Sequence, residues 1–231
     1  MKLSELAFAC YLYGKFTDYD DSYLKFLQAI NNKLDLKAVN HRKELLKWLN
    51  KWGCRQFKLE NHNIASNEIL TWFLKYNNSF FDNNKNLWDI TNEDLTIIKE
   101  TFDSLANKTA SIRNRSGNEI IIKVGPTGAS KILFALTSNA LPPWDQPIRE
   151  YYEYDGSGLS YCQYLKDIQL MLNELELSCH KNGFSLQQLP NKLTRPNSTV
   201  PKLIDEYNWV IITRKCEPPT QQTLRNWLEW Y

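Results

Sequence analysis

Along most of this chain, apolar residues recur every three to four positions, which is the spacing of one face of an α-helix. Leu3, Leu6, Ala7, Cys10 and Tyr11 form the first such stripe. Asp20, Asp21 and Ser22 are suited to cap a second helix, with Tyr23, Phe26, Leu27 and Ile30 on its apolar face. Leu45, Leu46, Leu49 and Trp52 mark a third helix, stopped by Gly53, and Ile69, Leu70, Phe73 and Leu74 a fourth. An asparagine-rich turn segment covers 76–86. Thr91-Asn92-Glu93-Asp94 then has the form of a capping box ahead of Leu95, Ile97, Ile98, Phe102 and Leu105. Residues 107–119 are polar and read as a loop, and Ile120-Ile121-Ile122 is a β-type run too brief to argue for a sheet. Further helices are expected from about Thr127 to Leu136, from Asp145 onward, and from Leu159 to Cys179, the last ended by Gly183. A Pro- and Asn-rich connector covers 185–201. The helix expected from Leu203 to Ile212 is weakened by Val210-Ile211-Ile212. Leu224, Trp227, Leu228 and Tyr231 mark a last helix. The pattern predicts an all-α protein of about ten helices. It forms a single unit over 1–231, with residues 30–140 as one possible lobe, 1–29 plus 145–231 as the other, and a cleft between them.

Composition narrows the class. The 231 residues are 42% hydrophobic and 23% charged, as in ordinary globular proteins. Aromatic residues reach 13%, and such rings usually fill cores. The net charge is only +2 and neither end is a charged tail, so charge alone does not make a strong nucleic-acid binder. Between Ser104 and Trp144, however, Lys108, Arg113, Arg115, Lys123 and Lys131 face only Glu119. The five cysteines are odd in number and lack C-x-x-C spacing, which argues against a metal site, an iron–sulfur cluster or a disulfide framework. The start of the chain lacks a signal peptide's apolar run, and no run reaches membrane-spanning length. An intracellular protein, in cytoplasm or nucleoid, is therefore expected, with no membrane partner.

Chemistry concentrates in one stretch. In Val124-Gly125-Pro126-Thr127-Gly128, glycine permits a tight turn and proline suits a first helical turn. The helix that follows offers free N–H groups to an anion. Lys123, Gly125, Thr127, Gly128, Ser130 and Lys131 are the candidate DNA-phosphate ligands. In Trp144-Asp145-Gln146-Pro147-Ile148, Asp145 stands where an N-cap belongs, and a carboxylate there can also stabilise positive charge developing on a sugar. Trp144, Tyr151 and Tyr152 are aromatic neighbours of Asp145 in the sequence. Trp52-Gly53-Cys54-Arg55 reads first as a helix terminator beside a buried thiol, with a pocket role as the alternative.

Together these pieces resemble the helix-hairpin-helix DNA glycosylases, the endonuclease III-like superfamily, over roughly residues 121–150. Val124-Gly125 matches the end of the phosphate-gripping hairpin and Ala129 the small residue on the following helix. Asp145, twenty positions after Gly125, falls at the spacing of the catalytic aspartate, and Ile148 takes the apolar position after it. Lys123 replaces the first hairpin glycine, and residues 116–122 do not read as a first hairpin helix. The lysine of the bifunctional lyases would fall at Thr127, which cannot form a Schiff base. The resemblance implies a monofunctional enzyme, with water as nucleophile, that acts as a monomer on double-stranded DNA and removes a damaged or modified base. It also implies a base pocket with Trp144, Tyr151 and Tyr152 as candidate walls, core packing being the alternative for at least one of them, a possible monovalent cation at the hairpin and no iron–sulfur cluster. The alternatives are a non-catalytic helical DNA-binding protein and an unrelated helical interaction protein.

Overall fold

The computed structural model describes residues 1–77, 85–115, 117–220, 222, 223 and 226. Among them are ten α-helices and one two-stranded sheet, so the all-α expectation holds. In chain order they are α1 (Leu3–Phe16), α2 (Tyr19–Ala29), α3 (Val39–Lys51), α4 (His62–Tyr76), α5 (Asn92–Ala106), β1 (Thr109–Arg115), β2 (Asn118–Lys123), α6 (Gly125–Leu136), α7 (Gln146–Tyr151), α8 (Gly158–Lys181), α9 (Leu189–Lys192) and α10 (Val200–Asn208). α10 runs directly into a π-helical turn, Trp209–Thr213, where the β-branched run weakened the helical pattern. The helix expected around Leu224, Trp227, Leu228 and Tyr231 lies outside the described residues, as does most of the asparagine-rich segment. No helix among the described residues is long and apolar enough to cross a membrane.

Local chemistry sets the ends of these helices. Thr91 Oγ1 accepts the Asp94 N–H while Asp94 Oδ2 accepts the Thr91 N–H, so α5 begins with the expected capping box. α3 stops at Gly53, whose φ of 80° is open to glycine at little cost. Asp20 and Asp21 fall inside the first turn of α2 rather than at its cap, where they favour the positive end of the helix dipole.

One buried cluster runs through the molecule and takes in residues of both expected lobes. On one side, Phe26 stacks on Trp48 with ring centroids 4.9 Å apart, and Trp52 stacks on Phe134 at 5.9 Å. On the other, Phe102 stacks on Tyr161 at 4.5 Å, and Trp144 packs edge-on against both. α1 packs along α10, which joins stretches far apart in the sequence, and α5 lies between α6 and α8. Gly158, first in α8, comes so near α5 that a Cβ there would clash with the Lys99 carbonyl oxygen. Its N–H donates to Asp103 Oδ1 at 2.6 Å.

The polar stretch 107–119 departs from expectation. It forms β1, which pairs antiparallel with β2 so that Ile112 faces Ile121 and Arg113 faces Ile120. Only Ala110 and Ser111 of β1 are buried, which is why the stretch carries no apolar signal. Asn61 Oδ1 accepts the Ile112 N–H and ties the hairpin to the start of α4. The element before the Gly125 turn is thus a strand, and the unit reads strand–turn–helix. The expected connector over 185–201 likewise contains α9 and the first residues of α10.

Candidate active site

The turn into α6 depends on Gly125, whose φ is 68°. The Val124 N–H donates to the Lys108 carbonyl at 2.8 Å, and the Val124 carbonyl accepts Gln56 Nε2 at 2.7 Å. That carbonyl thus spends one of its lone pairs on the Gln56 amide. Thr127 Oγ1 accepts Arg149 Nη1 at 2.9 Å and faces α7. Gly128 is buried, and a Cβ there would meet Gln56 and Val124 at 2.7 and 2.9 Å. Ser130 is buried too, and its hydroxyl accepts the Trp144 N–H at 3.2 Å. Gly128 and Ser130 therefore serve packing and offer nothing to a phosphate in solvent. Lys123 is exposed and bonds Asn107 Oδ1 at 2.6 Å, and Gly125 and Thr127 are partly open.

α7 begins at Asp145, whose Oδ1 accepts the Ile148 N–H at 3.2 Å, an ordinary N-cap. Oδ2 has no hydrogen-bond partner among the described residues. Asp145 lines a recess of about 160 Å³, close to the size of a ~150 Å³ cavity that can hold a benzene ring. Its aromatic walls are Tyr13 from α1, Tyr19 from α2, Trp52 from the end of α3, and Trp209 from the π-helical turn. These rings brace one another: Tyr13 meets Trp209 edge-on at 5.4 Å, and Trp52 Nε1 donates to the Tyr19 carbonyl at 3.1 Å. The polar lining is Lys131, Asp145 and Asp205.

Lys131 is thus turned away from the expected phosphate contact. Its Nζ donates to the Trp52 carbonyl at 2.6 Å and lies 5.6 Å from the Trp52 ring centre. Lys131 is one helical turn beyond Thr127, so it projects along the same side of α6. The lysine absent at Thr127 therefore has a counterpart in the recess, and Thr127 alone does not remove an amine from the site.

A buried charged network supports the recess from below. Lys202 Nζ lies 2.8 Å from Glu206 Oε1, 3.2 Å from Asp20 Oδ1, and 4.1 Å from the Tyr13 ring centre. Arg195 also pairs with Glu206 and with Asp20. Burial pulls the Lys202 pKa down, but Glu206, Tyr13 and Asp20 more than offset it and hold the ammonium charged. Burial raises Asp145 above the usual carboxylate range, opposed by the Ile148 N–H and the charges of Lys131 and Arg149. Burial also pushes Asp205 up to about 7, against the pull of Lys202 and Lys131 and reinforced by Asp145.

The structure places the three candidate pocket aromatics outside this recess. Trp144 is fully buried, with Nε1 donating to the Pro126 carbonyl and Arg149 stacked on its ring. Tyr151 is 65% exposed, and the Tyr152 hydroxyl donates to Asn208 Oδ1. Trp52 and Gly53, read mainly as a helix stop, do line the recess. The remaining walls come from residues 13, 19, 205 and 209, near the two ends of the chain, which no local motif links to Asp145. Comparison with known protein families, characterised proteins and solved structures finds no match.

Proposed function

We propose that the protein is a DNA glycosylase that removes a base flipped out of duplex DNA by hydrolysing its N-glycosidic bond. The observation that carries this reading is Asp145, held by its capping bond in the lining of an aromatic-walled recess with one carboxylate oxygen unengaged. A flipped base brings a planar ring, which stacks favourably on Tyr, Trp and Phe faces. As the bond breaks, positive charge grows on the sugar. A fixed carboxylate in a water-poor recess stabilises that charge far better than water would. Lys131 and Arg149 favour the ionised form that this task requires. Asp145 also orients the attacking water. Lys123 at the end of β2 and Gly125 and Thr127 at the start of α6, with Arg113 on β1, would engage the backbone phosphates.

The test is release of free base from a panel of damaged and modified duplexes by the wild type and by Asp145→Asn. Asparagine is an equally good N-cap, so the variant keeps its fold. It is expected to bind DNA and release no base. Equal excision by the variant would remove Asp145 from the chemistry.

A second route is favoured by one feature, the Lys131 amine in the recess. If Lys131 replaced water as the nucleophile, borohydride would trap a covalent protein–DNA adduct, and Lys131→Gln would abolish it. The water route predicts no adduct.

A further inference from the structure

The recess holds a second carboxylate that hydrolysis at Asp145 leaves without a task. Asp205 lines it from α10, whereas Asp145 belongs to the head of α7. The neighbours of Asp205 on its own helix, Lys202 and Glu206, are spent on each other and on Arg195 and Asp20. The Asp205 side chain has neither ion pair nor hydrogen bond among the described residues. Its surroundings are mixed. Lys202 and Glu206 act on it from α10, Lys131 from α6 and Asp145 from the α7 cap, and the hydroxyls of Tyr13 on α1 and Tyr164 on α8 feel its charge. Asp145 accepts a backbone N–H that favours its ionised form, and Asp205 has no such bond. Two carboxylates in one recess whose surroundings differ in this way divide naturally into a base and an acid.

We propose that Asp205 is a catalytic acid that gives its proton to a departing neutral purine while Asp145 stays ionised against the sugar. The inference rests on the glycosylase reading. The Asp205 O–H bond breaks and its proton goes to a ring nitrogen of the base. The electron pair of the C1′–N bond leaves with the base. Water oxygen bonds to C1′, its proton passes to Asp145 and from there to solvent, and solvent returns a proton to Asp205. One water is consumed, a free base and a sugar hydroxyl form, and nothing is oxidised or reduced. Burial holds the Asp205 proton up to about pH 7, so the acid is available near neutrality. A purine that already carries a positive charge needs no such donor, and this separates the two substrate classes.

The experiment uses the full chain and two duplexes, one with hypoxanthine as the neutral purine and one with N7-methylguanine as the cationic one. The wild type is expected to release hypoxanthine at a rate that falls as pH rises through about 7. Asp205→Asn should slow that release on the order of 100-fold and remove the alkaline fall, with little effect on N7-methylguanine. Asp145→Asn should abolish both. The proposal is overturned if Asp205→Asn slows both bases alike, slows neither, or keeps the alkaline limb. It is also overturned if the wild type releases only the cationic base. Should Asp205→Asn fail to fold by circular dichroism, the wild-type pH profiles decide: the alkaline fall must be present for hypoxanthine and absent for N7-methylguanine. Failure of the wild type to release any base defeats the glycosylase reading itself, an outcome distinct from all of these.

Discussion

Lys202 is fully buried, four residues ahead of Glu206 on the same helix, and its ammonium touches Glu206, Asp20 and the face of Tyr13. A buried pair of this kind nearly breaks even against an apolar pair of the same size, yet removing one partner strands the other's charge. Lys202→Met is therefore expected to cost about 3 kcal/mol, read as a lower urea midpoint, and the added change Glu206→Gln should recover part of it. A single variant as stable as wild type would mean that Arg195 alone satisfies both carboxylates. The network matters to function because Lys202 also lies 5.3 Å from the Trp52 ring centre, and so props two walls of the recess. Residues of this kind differ in how legible they are. Asp145 is readable because an N-cap leaves a local signature. Lys131 is readable as a charge but not as a direction, since spacing does not say that its amine folds back onto Trp52. The first helical stripe puts Tyr11 on the buried face, whereas Tyr11 is 66% exposed and Tyr13 is buried. Two residues apart on a helix, they point roughly 200° from each other.

At the scale of elements, the β1–β2 hairpin runs into α6, which carries Lys131 into the recess. Arg113 and Lys123 are exposed on the hairpin, and Arg113 Nη2 donates to the carbonyl of Arg55, two residues beyond the recess-lining Gly53. If these cations hold backbone phosphates, Arg113→Gln with Lys123→Gln should weaken duplex binding uniformly across sequences. The slope of log affinity against log salt should fall by about two. An unchanged slope would place the DNA on another face. By contrast, Thr91→Ala breaks the capping box of α5, remote from that hairpin, and should cost about 1 kcal/mol in thermal or urea unfolding without altering DNA binding. Most helices are legible because each buries one stripe, and periodicity records burial. β1 is not, because only two of its residues are buried, and residues 113–115 are all exposed, so burial leaves no period in the sequence. The π-helical turn is half legible: Val210-Ile211-Ile212 warns against a regular helix without saying that Trp209 lines the recess together with Asp145.

Across the whole molecule, the recess couples to stability through its protons. Asp205 holds its proton up to about pH 7 in the folded protein, while in the unfolded chain it titrates near the ordinary ~3.9. The folded state thus binds a proton that the unfolded state has released. Stability from this group is complete below about pH 4 and is lost as pH rises toward 7. Glu206 and Asp145, both raised by burial, act in the same sense. Asp94 acts oppositely. Burial would raise its pKa, but Lys85 and Thr91 more than offset this, so it stabilises the fold above the ordinary carboxylate range and stops doing so in acid. These opposed demands predict a melting temperature that is highest in mild acid and declines from about pH 5 to about pH 8. Asp205→Asn cannot release a proton, so its melting temperature should decline less steeply over that interval and exceed the wild type's at the alkaline end. Scanning calorimetry of both proteins across the interval tests this; parallel declines would show that the drain lies elsewhere. The comparison also ties the site to the fold, because α10 packs on α1 and carries Asp205 beside the Lys202 network. If a proton at Asp205 serves the proposed base release, the alkaline side that would silence it is also the side on which the packing of α10 on α1 is weakest.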